Sequence, residues 1–279
     1  MDSLRHGVVL YFLSEESSTA RAKRILLSEG TEQIQSSAAT PFCPDSFIPK
    51  GAWREPSANE VDELLTDPPI TEWNRTVAIV AVPKAVLNTF EALQLGSVTS
   101  WADIQERRRT DEYSIAVEAI TSYLRTYATD SSGIVVSGLV INQIGLPSVT
   151  FDQQNNCFIG MHLDSWDALP LDQRHRSSNR FVLNLGSEPR SLVFINQDLE
   201  TIYALLRYRE RGVLASEVDY NGMVREFMST FPRYPVVRVL VAPGEAYIAP
   251  TENIIHDGYT VGRSSLDIHL TVRGHFRFP

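Results

Sequence analysis

The sequence predicts a mainly β protein: a β barrel or double-sheet roll over residues 133–279, buttressed from outside by a mixed, helical N-terminal part. Three observations carry this expectation. From Gly133 the chain breaks into short β-branched runs bounded by Gly, Pro, Asn or Asp. Before Gly133 it carries longer stretches with apolar residues at helical spacing. One helical stretch, 198–230, interrupts the strands. A chain of 279 residues with 43% hydrophobic content can bury one large core. No repeat, low-complexity tract or tell-tale linker divides it, so residues 1–279 are read as one domain, with 1–132 as the supporting region.

In chain order, Val8 to Leu13 form an apolar run with acidic residues directly after it, too short for a signal-peptide core or a membrane span. The expectation is a cytoplasmic protein. "SSTARAKRILLSE" reads as a helix, and residues 30–57, rich in Ser, Thr, Pro and Gly, as loop. "SANEVDELLTD" is a helix opened by a capping box, Ser57 with Glu60 three residues on. "TVAIVAV" (76–82) is a strand and "KAVLNTFEAL" a helix. "DEYSIAVEAITSYLRTYA" is a long helix with Ile115, Val117, Ile120 and Leu124 at helical spacing.

The strands expected after Gly133 are "GIVVSGLVINQI", "RFVLNLG", "SLVFINQ", "PVVRVLVAPG", "AYIAPT", "NIIHDG" and "SLDIHLTVRGHF". Two helices, "DLETIYALLRYRERG" and "SEVDYNGMVREFMSTF", fall between them. Such a barrel is wide enough to hold a small ligand between its sheets.

A formal net charge of −9 argues against nucleic acid or an anionic membrane as the main partner, since both need a basic face. A small-molecule substrate fits better, and the oligomeric state is not legible. Cys43 and Cys157 are too few for a disulfide framework or a thiolate zinc site and are expected as separate thiols.

"GMHLDSW" (160–166) raises the chemical question. His162 and Asp164 stand two apart in a stretch that reads as the end of a buried strand, and titratable groups are costly to bury unless paired or bound to a metal. In a strand, residues two apart share a face. Among the six histidines, His256 in "APTENIIHDG" follows two isoleucines at a strand end, before an Asp-Gly turn signal. A closed β architecture would bring it back beside His162 and Asp164. Two imidazoles and a carboxylate on one face leave positions open for substrate and O₂, which suits non-heme Fe(II). The alternative is a hydrogen-bonded His–Asp pair with an unrelated His256. Farther on, Arg263 with Ser265 offers a guanidinium fork and a hydroxyl suited to gripping a carboxylate.

His162-Leu163-Asp164, then His256, then Arg263-Ser264-Ser265 resemble the Fe(II)/2-oxoglutarate-dependent oxygenase superfamily over roughly residues 133–279. The resemblance implies a double-stranded β-helix of jelly-roll or cupin-like kind, with 198–230 as a lid. It implies that His162, Asp164 and His256 hold Fe(II) as metal ligands and catalytic residues. It also implies that 2-oxoglutarate chelates the iron with its far carboxylate on Arg263 and Ser265, Arg273 being a rival, and that O₂ is consumed. Asn184 is a further candidate contact to 2-oxoglutarate, and Trp166 and Arg180 are candidate substrate contacts. Arg174 and Arg176 add to the basic flank around Arg180. Halogenating relatives have a small residue at the position of Asp164, so the resemblance points to hydroxylation, desaturation or cyclisation of an amino acid or natural-product intermediate. Two other classes compete: a cupin-like metalloenzyme that does not use 2-oxoglutarate, and a non-catalytic β-barrel binding protein.

Overall fold

Two sheets face each other across an apolar core, and helices cover both outer faces. The computed structural model describes residues 3–13, 16–130 and 133–277. The N-terminal part contributes strands β1 (Val9–Leu13), β2 (Ile25–Ser28), β3 (Thr31–Gln33), β4 (Phe47–Pro49), β5 (Trp53–Arg54) and β6 (Thr76–Ala81). Its helices are α1 (Ser18–Ala22), α2 (Ala58–Leu64), α3 (Lys84–Glu91), α4 (Trp101–Arg107) and α5 (Asp111–Arg125). Then come β7 (Val135–Asn142), a small hairpin of β8 (Phe151–Asp152) and β9 (Cys157–Phe158), β10 (Asn179–Asn184) and β11 (Arg190–Asp198). Helices α6 (Leu199–Leu205) and α7 (Tyr220–Thr230) precede β12 (Val236–Val241), β13 (Glu245–Ala249), β14 (Ile254–Tyr259) and β15 (Asp267–Gly274).

The first sheet runs β1-β6-β13-β10-β15-β7 and the second β14-β11-β12-β2-β5. From β10 onward the chain keeps crossing between them, so sequence-distant strands become neighbours. Strand alternation then sorts the side chains. Val182, Tyr247 and Ala249 point inward from the first sheet to meet Leu192, Phe194 and Val237 of the second. Phe181, Leu183 and Leu270 point outward onto Phe90, Ile120 and Leu124 of α3 and α5. Val193, Ile195 and Ile255 point outward from the second sheet onto Ile202, Met223 and Phe227 of α6 and α7. Fully burying a side chain of this size contributes roughly 1.5–3 kcal/mol.

Most expected elements form where the pattern puts them, including the Ser57–Glu60 capping box. Several details differ. The "SSTARAKRILLSE" helix stops at Ala22, and its β-branched and leucine end becomes β2, paired with β12. The 30–57 loop contains β3, β4 and β5, which pair with each other or with β2. On α5 the buried stripe is Ala116, Ile120 and Leu124, while Ile115 is exposed, because the helix turns a smaller residue toward the sheet. The supporting region is therefore not only a buttress: it extends both sheets. Cys43 and Cys157, expected as separate thiols, are joined in a disulfide that ties the loop before β4 to β9. A sequence separation of 114 hides a proximity that the fold creates. No helix among the described residues is long and apolar enough to cross a membrane.

Candidate active site

A cavity of about 520 Å³ opens between the two sheets. His256 lines it, and His162 and Asp164 cluster with His256. Gly160 starts the approach with φ +75°, and a Cβ there would lie 2.6 Å from the Phe47 carbonyl oxygen, so only glycine lets this segment lie against β4. Met161 N donates to that same oxygen at 2.7 Å. His162 then pairs directly with His256 on β14, each backbone N–H donating to the other's carbonyl at 3.1 and 2.9 Å. Asp164 N donates to Thr251 O at 3.1 Å. The alternation expected of residues 162 and 164 therefore holds. His256 lies inside β14 rather than at its end, because Asp257-Gly258 continues the strand instead of turning it.

The imidazole orientations are set by the backbone. His162 Nδ1 lies 2.9 Å from Gly160 O and His256 Nδ1 3.2 Å from Ile254 O. A carbonyl oxygen can only accept, so each Nδ1 carries the proton and each Nε2 keeps a lone pair. Those Nε2 atoms lie 3.8 Å (His162) and 3.7 Å (His256) from Asp164 carboxylate oxygens. His162 Nε2, His256 Nε2 and Asp164 Oδ2 are all buried and none has a hydrogen-bond partner. Two unpartnered imidazole nitrogens beside a carboxylate, with one ligand atom per residue within 4.8 Å of the others, are what a metal ion would satisfy, and two imidazoles with one carboxylate is a suitable ligand set. The residues present fit a divalent metal.

Charge agrees with that fit. Burial alone would raise the Asp164 pKa, but the Arg180 guanidinium at 3.0 Å and the two imidazoles hold it well below the carboxylate range, so it is ionised. Burial pushes His256 down to about 3, which keeps it neutral and able to ligate. Burial acts the same way on His162, yet Asp164 and Asp257 outweigh it and raise its pKa.

Behind the ligands, Glu252 is fully buried and organises the following loop. Its carboxylate accepts from Trp166 N (3.0 Å), Asp167 N (2.7 Å) and Ala168 N (3.2 Å), and from Arg174 Nη1 at 3.1 Å. Asp257 accepts from Ser148 Oγ and from Thr150 Oγ1, fixing the strand next to His256.

At another part of the cavity, Arg190 opens β11 and donates through Nε and Nη2 to Asp267 at 3.2 and 3.3 Å. Its Nη1 is buried with no hydrogen-bond partner. Tyr247 lies beside it, 5.4 Å from guanidinium carbon to ring centre, with its phenol pKa pushed up by burial. His269 lines the same region and is held neutral, its pKa pushed down to about 3 by burial.

The residues expected to bind a cosubstrate are not brought here. Arg263 donates to the carbonyl oxygens of Pro189 (2.6 Å), Ser265 (3.2 Å), Leu266 (3.2 Å) and Glu188 (3.3 Å), so its fork is spent on the β10–β11 corner. Asn184 donates to Glu188 O and Val241 O and accepts from Gly186 N, in the same corner. The Ser265 hydroxyl pairs with that of Ser187. All three are pieces of turn structure. Trp166 and Arg180 do line the cavity, as expected. Arg174, read as basic flank, is buried on Glu252 instead. Residues 199–230 supply nothing to the cavity wall; the mouth is bordered by Trp101 of α4, Phe151 and Gln153 of the hairpin, and Trp166. The insertion covers the outer face of the second sheet because its apolar stripe matches that face.

Arg190, Tyr247 and His269, with Asp267 behind Arg190, are what the sequence reading missed at the cavity. A signal existed: Asp267, His269, Thr271 and Arg273 alternate with Ile268, Leu270 and Val272, a polar face on a strand that is mostly buried.

No family model matches the chain, and no curated protein matches it closely enough to count as a relative. Among solved structures, it is similar to the Kdo hydroxylase KdoO, a non-heme Fe(II) alpha-ketoglutarate-dependent dioxygenase. The KdoO complex with succinate and Fe(III) aligns at 10% identity over 73% of this chain and 81% of that one, TM-score 0.39. The KdoO complex with alpha-ketoglutarate and Fe(III) aligns at 12% identity over 73% and 81%, TM-score 0.40. Apo HygX from Streptomyces hygroscopicus aligns at 12% identity over 72% and 83%, TM-score 0.31. Similarity at this level assigns no chemistry; the side chains must do that.

Proposed function

We propose that this protein is a non-heme Fe(II)- and 2-oxoglutarate-dependent dioxygenase acting on a small molecule, and that its two facing sheets form a double-stranded β-helix. The observation that carries the reading is the convergence of the buried His162, Asp164 and His256 side chains, with both imidazole Nε2 atoms unpartnered beside the carboxylate. Iron held there would supply O₂ activation coupled to conversion of 2-oxoglutarate to succinate and CO₂, oxidising a C–H bond of the substrate.

The chain's own residues do the rest. The Gly160 and Ile254 carbonyls fix both imidazole tautomers, and Arg180 keeps Asp164 ionised and oriented. Arg190 replaces Arg263 as the residue that binds the far carboxylate of 2-oxoglutarate: it lines the cavity beside Tyr247, and it is anchored through Nε and Nη2 to Asp267. Val140, Val149 and Val182 make part of the wall apolar and limit water. Hydroxylation is the simplest outcome, with desaturation or cyclisation requiring the same site.

The test is succinate formation from 2-oxoglutarate with Fe(II) and O₂, in wild type and in Asp164→Ala and His256→Ala. Wild type should form succinate and both folded variants should lose it. Equal turnover in either variant removes the ligand assignment, and iron-dependent activity without 2-oxoglutarate points to a cupin-like enzyme instead.

A further inference from the structure

On the inward face of β10 and β15, Arg180 and Arg273 are direct register partners. Arg180, His269 and Thr271 line the cavity, and Arg273 follows His269 and Thr271 on the same alternating face, one step beyond the lining, so two guanidinium groups stand side by side next to it. Like charges directly opposite in an antiparallel pair are destabilising. The Trp166 indole lies against both, its ring centre 5.7 Å from the Arg180 guanidinium carbon and 5.4 Å from that of Arg273. Yet 54% of Trp166 is exposed, an open aromatic surface at the mouth. Its position is built, because Glu252 accepts from three successive backbone N–H groups of its loop.

The two arginines are not equally engaged. Arg180 donates to Asp164 at 3.0 Å. Arg273 Nη1 is 3.6 Å from Asp167, too far for a hydrogen bond, and that carboxylate already accepts from Ser178 N at 2.7 Å. Among the described residues Arg273 donates no hydrogen bond, although its side chain is only 26% exposed. A partly exposed guanidinium held by one long ion pair, with no short hydrogen bond to commit it, is suited to an anion. Across the mouth, Trp101 and Phe151 present apolar surface.

We propose that the substrate is an anionic molecule with an apolar or planar body, its carboxylate or phosphate held by Arg273 and its body resting between Trp166 and the Trp101–Phe151 side. This rests on reading the cavity as the active site. It is separate from the cosubstrate contact, because Arg190 is anchored to Asp267, six residues or about 20 Å along β15 from Arg273.

The experiment is calorimetric titration of the full chain with phenylacetate, phenyl phosphate and neutral phenylacetamide, with and without Co(II) and 2-oxoglutarate. At least one anion should bind, and phenylacetamide at least tenfold more weakly. Arg273→Gln should weaken the bound anion at least tenfold and leave the amide unchanged, while Arg273→Lys recovers part of the loss. The tighter of the two anions assigns carboxylate or phosphate as the group recognised. Binding of neither anion, equal binding of amide and anions, or an unchanged Arg273→Gln overturns the proposal. So does a 2-oxoglutarate affinity that falls in Arg273→Gln, which would make Arg273 the cosubstrate clamp. Failure of the oxygenase reading shows separately, as Co(II) uptake unaffected by Asp164→Ala, and leaves the metal-free titrations interpretable.

Discussion

Replacing Arg190 by Met removes a guanidinium that donates twice to Asp267 and lines the cavity. Two costs follow. Asp267 would be left as a buried carboxylate with Asn142 as its main remaining donor, at 2.9 Å, and breaking a buried pair from one side costs about 3–5 kcal/mol. The far carboxylate of 2-oxoglutarate would lose its charged partner, a loss of about 2–5 kcal/mol. The first cost can be lowered by making the double variant Arg190→Met/Asp267→Asn, because removing both partners is far cheaper than removing one. The dissociation constant of 2-oxoglutarate, measured with Co(II) present, should then rise at least roughly 30-fold. Arg263→Ala is the comparison: its four carbonyl contacts make it a stability residue, so unfolding temperature should fall while 2-oxoglutarate affinity stays within about twofold. An unchanged affinity in the double variant, together with a large loss in Arg263→Ala, would refute the assignment.

Metal binding should stabilise the fold, because it binds the folded site and satisfies two unpartnered imidazole nitrogens; Co(II) at a hundredfold excess over its dissociation constant should raise the melting temperature by about 5 °C or more, and Asp164→Ala should abolish the shift. Cys43→Ser should lower the unfolding free energy by about 2–5 kcal/mol in denaturant melts, since the bridge closes a loop of more than a hundred residues; equal stability would mean the bridge adds nothing. Replacing residues 199–230 by a short linker should yield insoluble or unfolded protein, because Val193, Ile195 and Ile255 lose their cover; a soluble variant impaired only in coupling would restore the segment as a lid.

The periodic parts of this fold were legible. Runs such as "PVVRVLVAPG" and "RFVLNLG" formed strands because β-branching, length and flanking turn residues agree there. His162, Asp164 and His256 were legible because a polar pair two apart in an apolar stretch needs a reason. What local pattern cannot carry is partnership across the chain. Arg263 and Arg190 are both arginines beside apolar runs, and only the corner geometry reveals that one caps carbonyls while the other faces the cavity. The Cys43–Cys157 bridge and the role of β2 depend on the same long-range pairing. The helical character of the insertion is legible in its amphipathic pattern, but a helix's apolar stripe does not say which face of a sheet it covers.

The most direct measurement is anaerobic titration of the protein with Fe(II) and then 2-oxoglutarate, followed by visible absorption. The expected result is a weak charge-transfer band that saturates at one iron and one 2-oxoglutarate per chain, absent in Asp164→Ala. Iron that does not bind, or a band that persists unchanged without Asp164, would contradict the assignment of His162, Asp164 and His256 as the metal centre.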